Sequence, residues 1–352
     1  MARTRGKVRV DYGNELAVVR TRTQWGALVL LLAVLAALPH LLSLIGNASW
    51  LTFVNFTLIT VIAVLGLNVT TGMAGQVSMG HSAFIMVGSY ASGNLMVNLG
   101  WSFWLAVPAG ALIAAGSGLV VGAPSVRLKG MYLAVATFAF FFVAQFLLKN
   151  LEVAGGPQGL IGIPSPAIGG FAIKTDIWWY YLILLITIAA VAGSVNLTRS
   201  RLGRAFFAVR DGDVTAPSMG INVYLTKVTA FFIGALFAGI AGGLGSSYIS
   251  VVRTDQFTIW DSIWYLGMVI IGGAGSTAGT VMGVLFLRLI SQFLHLVGMG
   301  DWARNLGSTF WSSLTYAIYG VFIILFMSFR PHGLISVWRT LKVKYKQWPF
   351  EA

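Results

Sequence analysis

Side chains able to do covalent or proton-transfer chemistry are scarce and scattered in this 352-residue chain. There are ten acidic residues (Asp11, Glu15, Glu152, Asp176, Asp211, Asp213, Asp255, Asp261, Asp301 and Glu351), four histidines (His40, His81, His295 and His332) and no cysteine. Thiolate catalysis, disulfides and Cys-ligated metals are thereby excluded, and histidines this far apart lack metal-ligand spacing. The sole Gly-Lys pair, Gly6-Lys7, is followed by Val8, so no phosphate-binding Gly-x-x-x-x-Gly-Lys-Ser/Thr loop exists. Gly273-Ala-Gly275-Ser-Thr-Ala278 fits a dinucleotide pattern formally, but it lies between apolar runs with no strand before it. No cofactor is expected on this chain, and an enzyme is not expected.

What remains is a set of polar side chains set into apolar sequence. Residues 72–80, Gly-Met-Ala-Gly-Gln-Val-Ser-Met-Gly, interrupt an apolar stretch with three glycines and the polar Gln76 and Ser78, and His81 follows directly. Residues 272–283 make a second interruption with Gly-Gly-Ala-Gly-Ser-Thr-Ala-Gly. Irregular backbone survives at membrane depth only where protein or a water-filled cavity satisfies it. In transporters such breaks mark the substrate path; the alternative is a short turn between two spans, and spacing does not separate the two. Gln76, Ser78, His81 and Tyr132 are candidate pathway residues, because polar groups in an apolar bundle are costly unless paired or facing water. For His81 the competing reading is a packing or interfacial histidine. Gly75, Gly80, Gly272, Gly273 and Gly275 are the glycines that would permit the breaks.

These residues need a scaffold, and composition identifies it. Hydrophobic residues make up 57% and charged residues 9%, against roughly a quarter charged in soluble domains. The expected fold is an all-α, polytopic transmembrane bundle. Apolar runs predict about ten spans, near 25–45, 51–71, 77–98, 102–122, 130–148, 178–197, 228–250, 259–275, 277–297 and 309–329. Four regions hold 18 of the 23 basic residues: the first tail, Arg127 with Lys129, the loop 198–227, and the tail after Arg330. Ten spans with both termini inside place all four on the cytoplasmic face. The expected organisation is a cytoplasmic tail 1–24, a permease domain 25–329 and a cytoplasmic tail 330–352. The net charge of +13 is then a topology signal, and no nucleic-acid partner is expected.

Small residues recur at Gly110, Ala114, Gly118 and Gly122, and at Gly275, Gly279 and Gly283, as packing faces in lipid do. Five spans followed by five would make two inverted halves, although the two interruptions do not occupy equivalent positions in such halves. None of the acidic residues falls clearly inside a predicted span, Asp261 lying nearest. That speaks against a proton- or sodium-coupled carrier.

The loop 198–227 mixes five basic and two acidic residues with Phe206, Phe207, Val209, Met219 and Ile221. A solvating loop has no need of those apolar groups. They would serve either a short helix docking into a cytoplasmic partner, with Arg204, Arg210, Asp211 and Asp213 as a polar rim, or a helix folded back on its own protein.

Several segments together resemble one family. They are Gly75-Gln-Val-Ser-Met-Gly-His-Ser-Ala-Phe84, Leu128-Lys-Gly-Met-Tyr-Leu-Ala134, Gly155-Gly-Pro-Gln-Gly-Leu-Ile-Gly-Ile-Pro164, Ser200-Arg-Leu-Gly-Arg-Ala205 with Ala208-Val-Arg-Asp211, Ile271-Gly-Gly-Ala-Gly-Ser276 and Arg330-Pro-His-Gly-Leu334. In this order, over residues 50 to 335, they resemble the LivM-like permease subunits of branched-chain amino acid ABC importers. The resemblance implies a multi-pass protein of a prokaryotic cytoplasmic membrane that works by alternating access. Its implied partners are a homologous second permease, two ATPase subunits that hold ATP and Mg, a periplasmic binding protein and membrane lipid. It also implies that a cytoplasmic loop helix carries ATPase closure to the membrane, with Asp213, Ala216, Gly220 and Ile221 in its loop motif. Pro217 and Phe142 depart from the pattern, which carries alanine and glutamate there. Urea, amides and aromatic or organic acids are alternative ligands, and an autonomous channel or ion-coupled carrier is the alternative class.

Overall fold

The computed structural model describes residues 22–44, 48–128, 130–168, 171–298, 307–329, 333–337 and 340. Most of both expected tails, Lys129 and Arg330-Pro-His332 lie outside the described residues. The chain divides into two compact units, Met1–Thr52 and Phe53–Ala352. In the first, helix α1 (Arg22–Leu44) carries its only charge at Arg22 and contains Pro39, a residue that helices in lipid tolerate better than helices in water.

Helix α2 (Ala48–Leu67) ends in a π-helical turn, Asn68–Met73. It is followed by α3 (His81–Val97), α4 (Phe103–Gly122), α5 (Met131–Asn150), α6 (Asp176–Arg199), a short α7 (Arg201–Asp211), α8 (Val223–Ile249), α9 (Ile259–Gly272), α10 (Thr277–Gly298) and α11 (Gly307–Phe329). Every expected span meets a helix. Among the described residues six helices, Ser49–Met73, Phe103–Ser125, Met131–Asn150, Asp176–Arg199, Val223–Ile249 and Thr277–Gly298, are long and apolar enough to cross a membrane. Among the described residues the sheet content is two short antiparallel pairs, Leu160–Ile161 with Val251–Val252 and Ala167–Ile168 with Phe171–Ala172.

In the second unit α8 is the central helix, and it packs through small residues. A Cβ on Gly239 would press on Ala111 and Ala114 of α4, one on Gly88 of α3 would strike Gly239, and one on Gly66 of α2 would strike the Gly234 carbonyl. Gly118 and Gly122 likewise close on Phe231, and Gly110 on Ser92. Gly279 and Gly283 press α10 onto the carbonyls of Gly272 and Met268 in α9. Gly110 to Gly122, and Gly279 with Gly283, therefore form close packing surfaces, where glycine lets axes approach, whereas Gly275 lies in the turn before α10 and faces Arg210.

The helix ends sort into two groups. At one end lie the π turn, α7, the 273–276 turn and Gly333, since Arg210 bonds to Gly72, Gly275 to Asn68, and Gly333 closes on Gly273. The end of α4 lies there too, with Gly122 against Val228 at the start of α8. Three of the four basic regions thus begin at one end of the bundle. At the far end the Leu160–Val252 pairing joins the connections 151–175 and 250–258, and Asn98 Nδ2 donates to the Val153 carbonyl at 3.1 Å.

The two sequence interruptions differ. Segment 74–80 runs back into the bundle without helix or strand. Met79 N–H donates to Thr137 Oγ1 at 2.9 Å, and His81 Nε2 donates to the Ala63 carbonyl at 2.8 Å. Ala63 lies ten residues before Met73, about 15 Å along a helix at 1.5 Å per residue. Segment 272–283, by contrast, holds only the tight turn 273–276 between α9 and α10, with Gly273 at φ 114° and Gly275 at φ 85°.

The true counterpart of 74–80 is 250–258, which the sequence offers only as a polar connection between two spans. It follows the long α8 as 74–80 follows the long α2, and it leads into the short 14-residue α9 as 74–80 leads into the 17-residue α3. The two segments enter from opposite ends and meet. Ser82 Oγ donates to the Thr258 carbonyl at 3.0 Å, and the Ser82 and Ser262 hydroxyls are 2.8 Å apart. Interruptions at corresponding places in oppositely directed halves fit the five-plus-five arrangement.

Candidate functional site

The loop 198–227 builds its own capped elements. Ser200 Oγ accepts from Gly203 N–H at 3.1 Å and starts α7, and Asn222 Oδ1 accepts from Leu225 N–H at 3.1 Å and starts α8, each satisfying an otherwise orphan donor. Between them Ala216–Met219 form one 3-10 turn, with Pro217 at its start, where no N–H is needed. Gly220 closes that turn at φ 77°.

Phe206 and Val209 are buried, so they are not anchors for another protein. Phe206 packs with Val69 and Met73 of the π turn, Ala74, and Ala230 of α8. The apolar face of α7 is thus folded onto its own chain. Val214 at 81% and Met219 at 78% are what the loop presents outward, together with Leu202, Arg204 and Asp211.

Arg210 is exposed at the edge of the loop, 3.4 Å from Asp211, and also reaches inward. Its Nη1 donates to the Gly72 carbonyl at 2.7 Å, and its guanidinium lies 5.6 Å from the Phe207 ring centroid. A Cβ on Gly75 would meet Arg210 Cγ at 2.8 Å, and one on Gly275 would meet Arg210 Nη1 at 2.8 Å. Asn68 Oδ1 accepts from Gly275 N–H at 2.8 Å. The residue placed in the loop by sequence therefore ties together both glycine interruptions. A carbonyl freed by the π turn is what a guanidinium can reach at that point.

Asp213 accepts from Lys227 Nζ at 3.1 Å, and the lysine side chain is only 3% exposed. Breaking a buried pair strands a charge and costs about 3–5 kcal/mol; the partial exposure of Asp213 puts this pair near the lower figure. Asp213→Asn is expected to lower the melting temperature of the purified protein more than Lys227→Met does, since only the former leaves an unpaired ammonium. Equal melting temperatures for both variants and wild type would remove the pair from the list of loop anchors.

Three of the four candidate pathway residues share one stretch of chain, 76–81. Gln76, Ser78 and His81 are buried; Gln76 Nε2 donates to the Ala74 carbonyl at 3.0 Å, while Ser78 Oγ and His81 Nδ1 have no partner among the described residues. Tyr132 does not join them. It is 76% exposed on the outward face of α5, as Phe142 is in part, because the helix turns its Leu133 and Thr137 inward instead. Gly80 is pressed onto the Thr137 carbonyl, which is what requires glycine there.

Sequence reading missed the charged lining of the bundle. Cavities of about 580 Å³ and about 330 Å³ share Thr60, Asp261, Tyr265 and Arg288 as walls. Asp261, the acidic residue nearest a predicted span, sits in the first turn of α9, where its Oδ2 accepts from Thr258 N–H at 2.7 Å and Thr258 Oγ1 at 2.8 Å. Arg288 lies midway along α10, the single arginine in that apolar helix. A lone cation inside a predicted span was the available signal.

Comparison with known proteins follows the same lines. A family model described as branched-chain amino acid transport system / permease component matches residues 49–327. The high-affinity branched-chain amino acid transport system permease protein LivM of Escherichia coli K12 is 31% identical over 342 residues, covering 90% of this chain and 76% of that protein. The LivM of Salmonella typhimurium LT2 is 30% identical, covering 91% and 77%. More distantly, the ribose import permease protein RbsC of Escherichia coli K12 is 24% identical over 54% of this chain and 64% of its own length. No solved structure matches the chain.

Proposed function

Because the chain belongs to the permease-component family of branched-chain amino acid transport systems, we propose that it forms part of the membrane pathway of an ATP-driven importer. Its cargo is a branched-chain amino acid or a related small polar metabolite, carried across the cytoplasmic membrane of a prokaryote by alternating access. It pairs with a homologous permease and with two ATPase subunits, which hold ATP and Mg, and a periplasmic binding protein delivers the ligand. The α7 end of the bundle, with both tails, faces the cytoplasm. The ATPases meet the outward residues of the loop, including Arg204, Asp211, Val214 and Met219.

One observation carries this reading. Arg210 and Phe206 attach the loop directly to the π turn and to segment 74–80, so displacement of α7 moves the backbone that lines Gln76, Ser78 and His81. Rigid attachment of this kind lets a partner select between two packings of a bundle.

The test is purification of the tagged chain in mild detergent with its neighbouring subunits coexpressed. Recovery of a second permease and ATPases, with ATP hydrolysis stimulated by leucine-loaded binding protein, is the expected result. A chain that purifies alone and still transports in liposomes overturns it. Arg204→Glu, at an exposed residue bonded to the Arg199 carbonyl, is expected to reduce ATPase recovery without changing membrane insertion. Unchanged recovery would remove the loop from the interface.

A further inference from the structure

We infer that Arg288 and Asp261 form a subsite for the carboxylate and ammonium of a zwitterionic α-amino acid, midway through the bundle. The inference deepens the proposed function and rests on it. Arg288 is the eleventh residue after Thr277 in α10, and Asp261 the eleventh before Gly272 in α9. At 1.5 Å per residue both stand about 16 Å above the turn that joins these helices. The two charges therefore share one depth and border the same two cavities.

They nevertheless form no ion pair with each other, and each is held by a fixed neighbour. Arg288 Nη2 donates to Thr60 Oγ1 at 2.8 Å, and that hydroxyl spends its own proton on the Phe56 carbonyl at 2.7 Å. Arg288 Nε is buried with no partner. Asp261 is held by the two Thr258 donors. A cation and an anion kept apart at membrane depth cost several kcal/mol unless water or a ligand completes them.

A zwitterion completes both: its carboxylate offers the paired oxygens that a guanidinium fork binds, and its ammonium meets Asp261. A neutral amide or sugar satisfies neither charge, and a simple carboxylate brings a second anion toward Asp261. Phe56, Ile59, Ile85 and Phe257 supply an apolar wall in the smaller cavity, suited to a branched side chain. Cavities of this size lie within the range of small-molecule sites.

The test is leucine uptake by the complete importer in liposomes, with subunit recovery and binding-protein-stimulated ATP hydrolysis measured in parallel. Arg288→Gln is expected to lower uptake about thirtyfold or more, the effect of truncating one partner of a buried charged contact, with recovery and hydrolysis retained. Arg288→Lys, which keeps the charge but not the fork, is expected to fall between Arg288→Gln and wild type. Asp261→Asn is expected to narrow the preference for leucine over isovalerate, which lacks the ammonium, and it decides the matter if Arg288→Gln fails to assemble. Leucine uptake that is normal in Arg288→Gln, or a leucine-to-isovalerate ratio unchanged in Asp261→Asn, overturns the subsite and leaves the importer reading standing. A wild-type complex that carries urea or ribose but no amino acid overturns the substrate reading itself.

Discussion

Gly80→Ala is expected to reduce leucine uptake by the reconstituted importer at least about tenfold, while Gly116→Ala leaves it unchanged. A Cβ at Gly80 would collide with the Thr137 carbonyl, whereas one at Gly116 meets nothing within 4 Å. The obstacle at Gly80 is backbone, which cannot rotate aside as a side chain would. Overpacking of that kind costs about 1–3 kcal/mol, and it falls where segment 74–80 must lie against α5. Strain is not the cause, since Gly80 has φ −109°, which alanine adopts freely. Gly75 supplies the contrasting case: at φ 67° it occupies a region that costs any other residue about 1–2 kcal/mol, and Gly75→Leu adds a clash with Arg210. Uptake is measured beside the yield of assembled complex, so that loss of protein is separated from loss of transport. Normal uptake in Gly80→Ala and Gly75→Leu would mean that 74–80 is a compliant turn of no consequence to the pathway.

Arg210→Ala is expected to separate ATP hydrolysis from transport. Its guanidinium is the polar link between α7 and the Gly72 carbonyl, and a charge-assisted hydrogen bond of this kind contributes about 1.5–3 kcal/mol. Losing it leaves α7 seated by Phe206, so subunit recovery and stimulated hydrolysis persist, while leucine moved per ATP falls about tenfold or more. Arg204→Glu should do the reverse and weaken recovery of the ATPases. If both variants lose the ATPases to the same degree, Arg210 belongs to the interface and the internal link has no separate role.

Much of this was legible in the residues. Apolar run length places every long helix but not the short α7, because a helix in lipid must satisfy its backbone within itself and needs about 20 residues to cross. The interruption at 72–80 was visible for the same reason, since Gln76 and Ser78 are misplaced in a continuous span. Its partner at 250–258 was not, because Arg253, Thr254, Asp255 and Gln256 make it read as an ordinary polar connection between two spans. The glycine-rich 272–283 drew attention instead, although its glycines serve a turn and a close helix contact. Phe206 and Arg210 could not be assigned from sequence, because an apolar face on a short helix looks the same whether it covers a partner or its own bundle. Arg288 was legible as a cation within a span. Its relation to Asp261 was not, since only the fold sets two residues 27 positions apart at one depth.

The backbone contacts around α8 have a mechanical consequence. Helices that interlock through large side chains resist sliding, because each knob must leave its hole before the next position is reached. Where Gly239 meets Gly88 and Ala111, and Gly234 meets Gly66, there are no knobs to withdraw and no side-chain rotamers to reorder. Friction along α8 is correspondingly low, and a shear of an ångström or so exchanges one set of close contacts for an equivalent one. Stiffness comes instead from the first turns of α3 and α9, which meet at Ser82 and Ser262, so the bundle is a slippery axis held at its middle by a small latch.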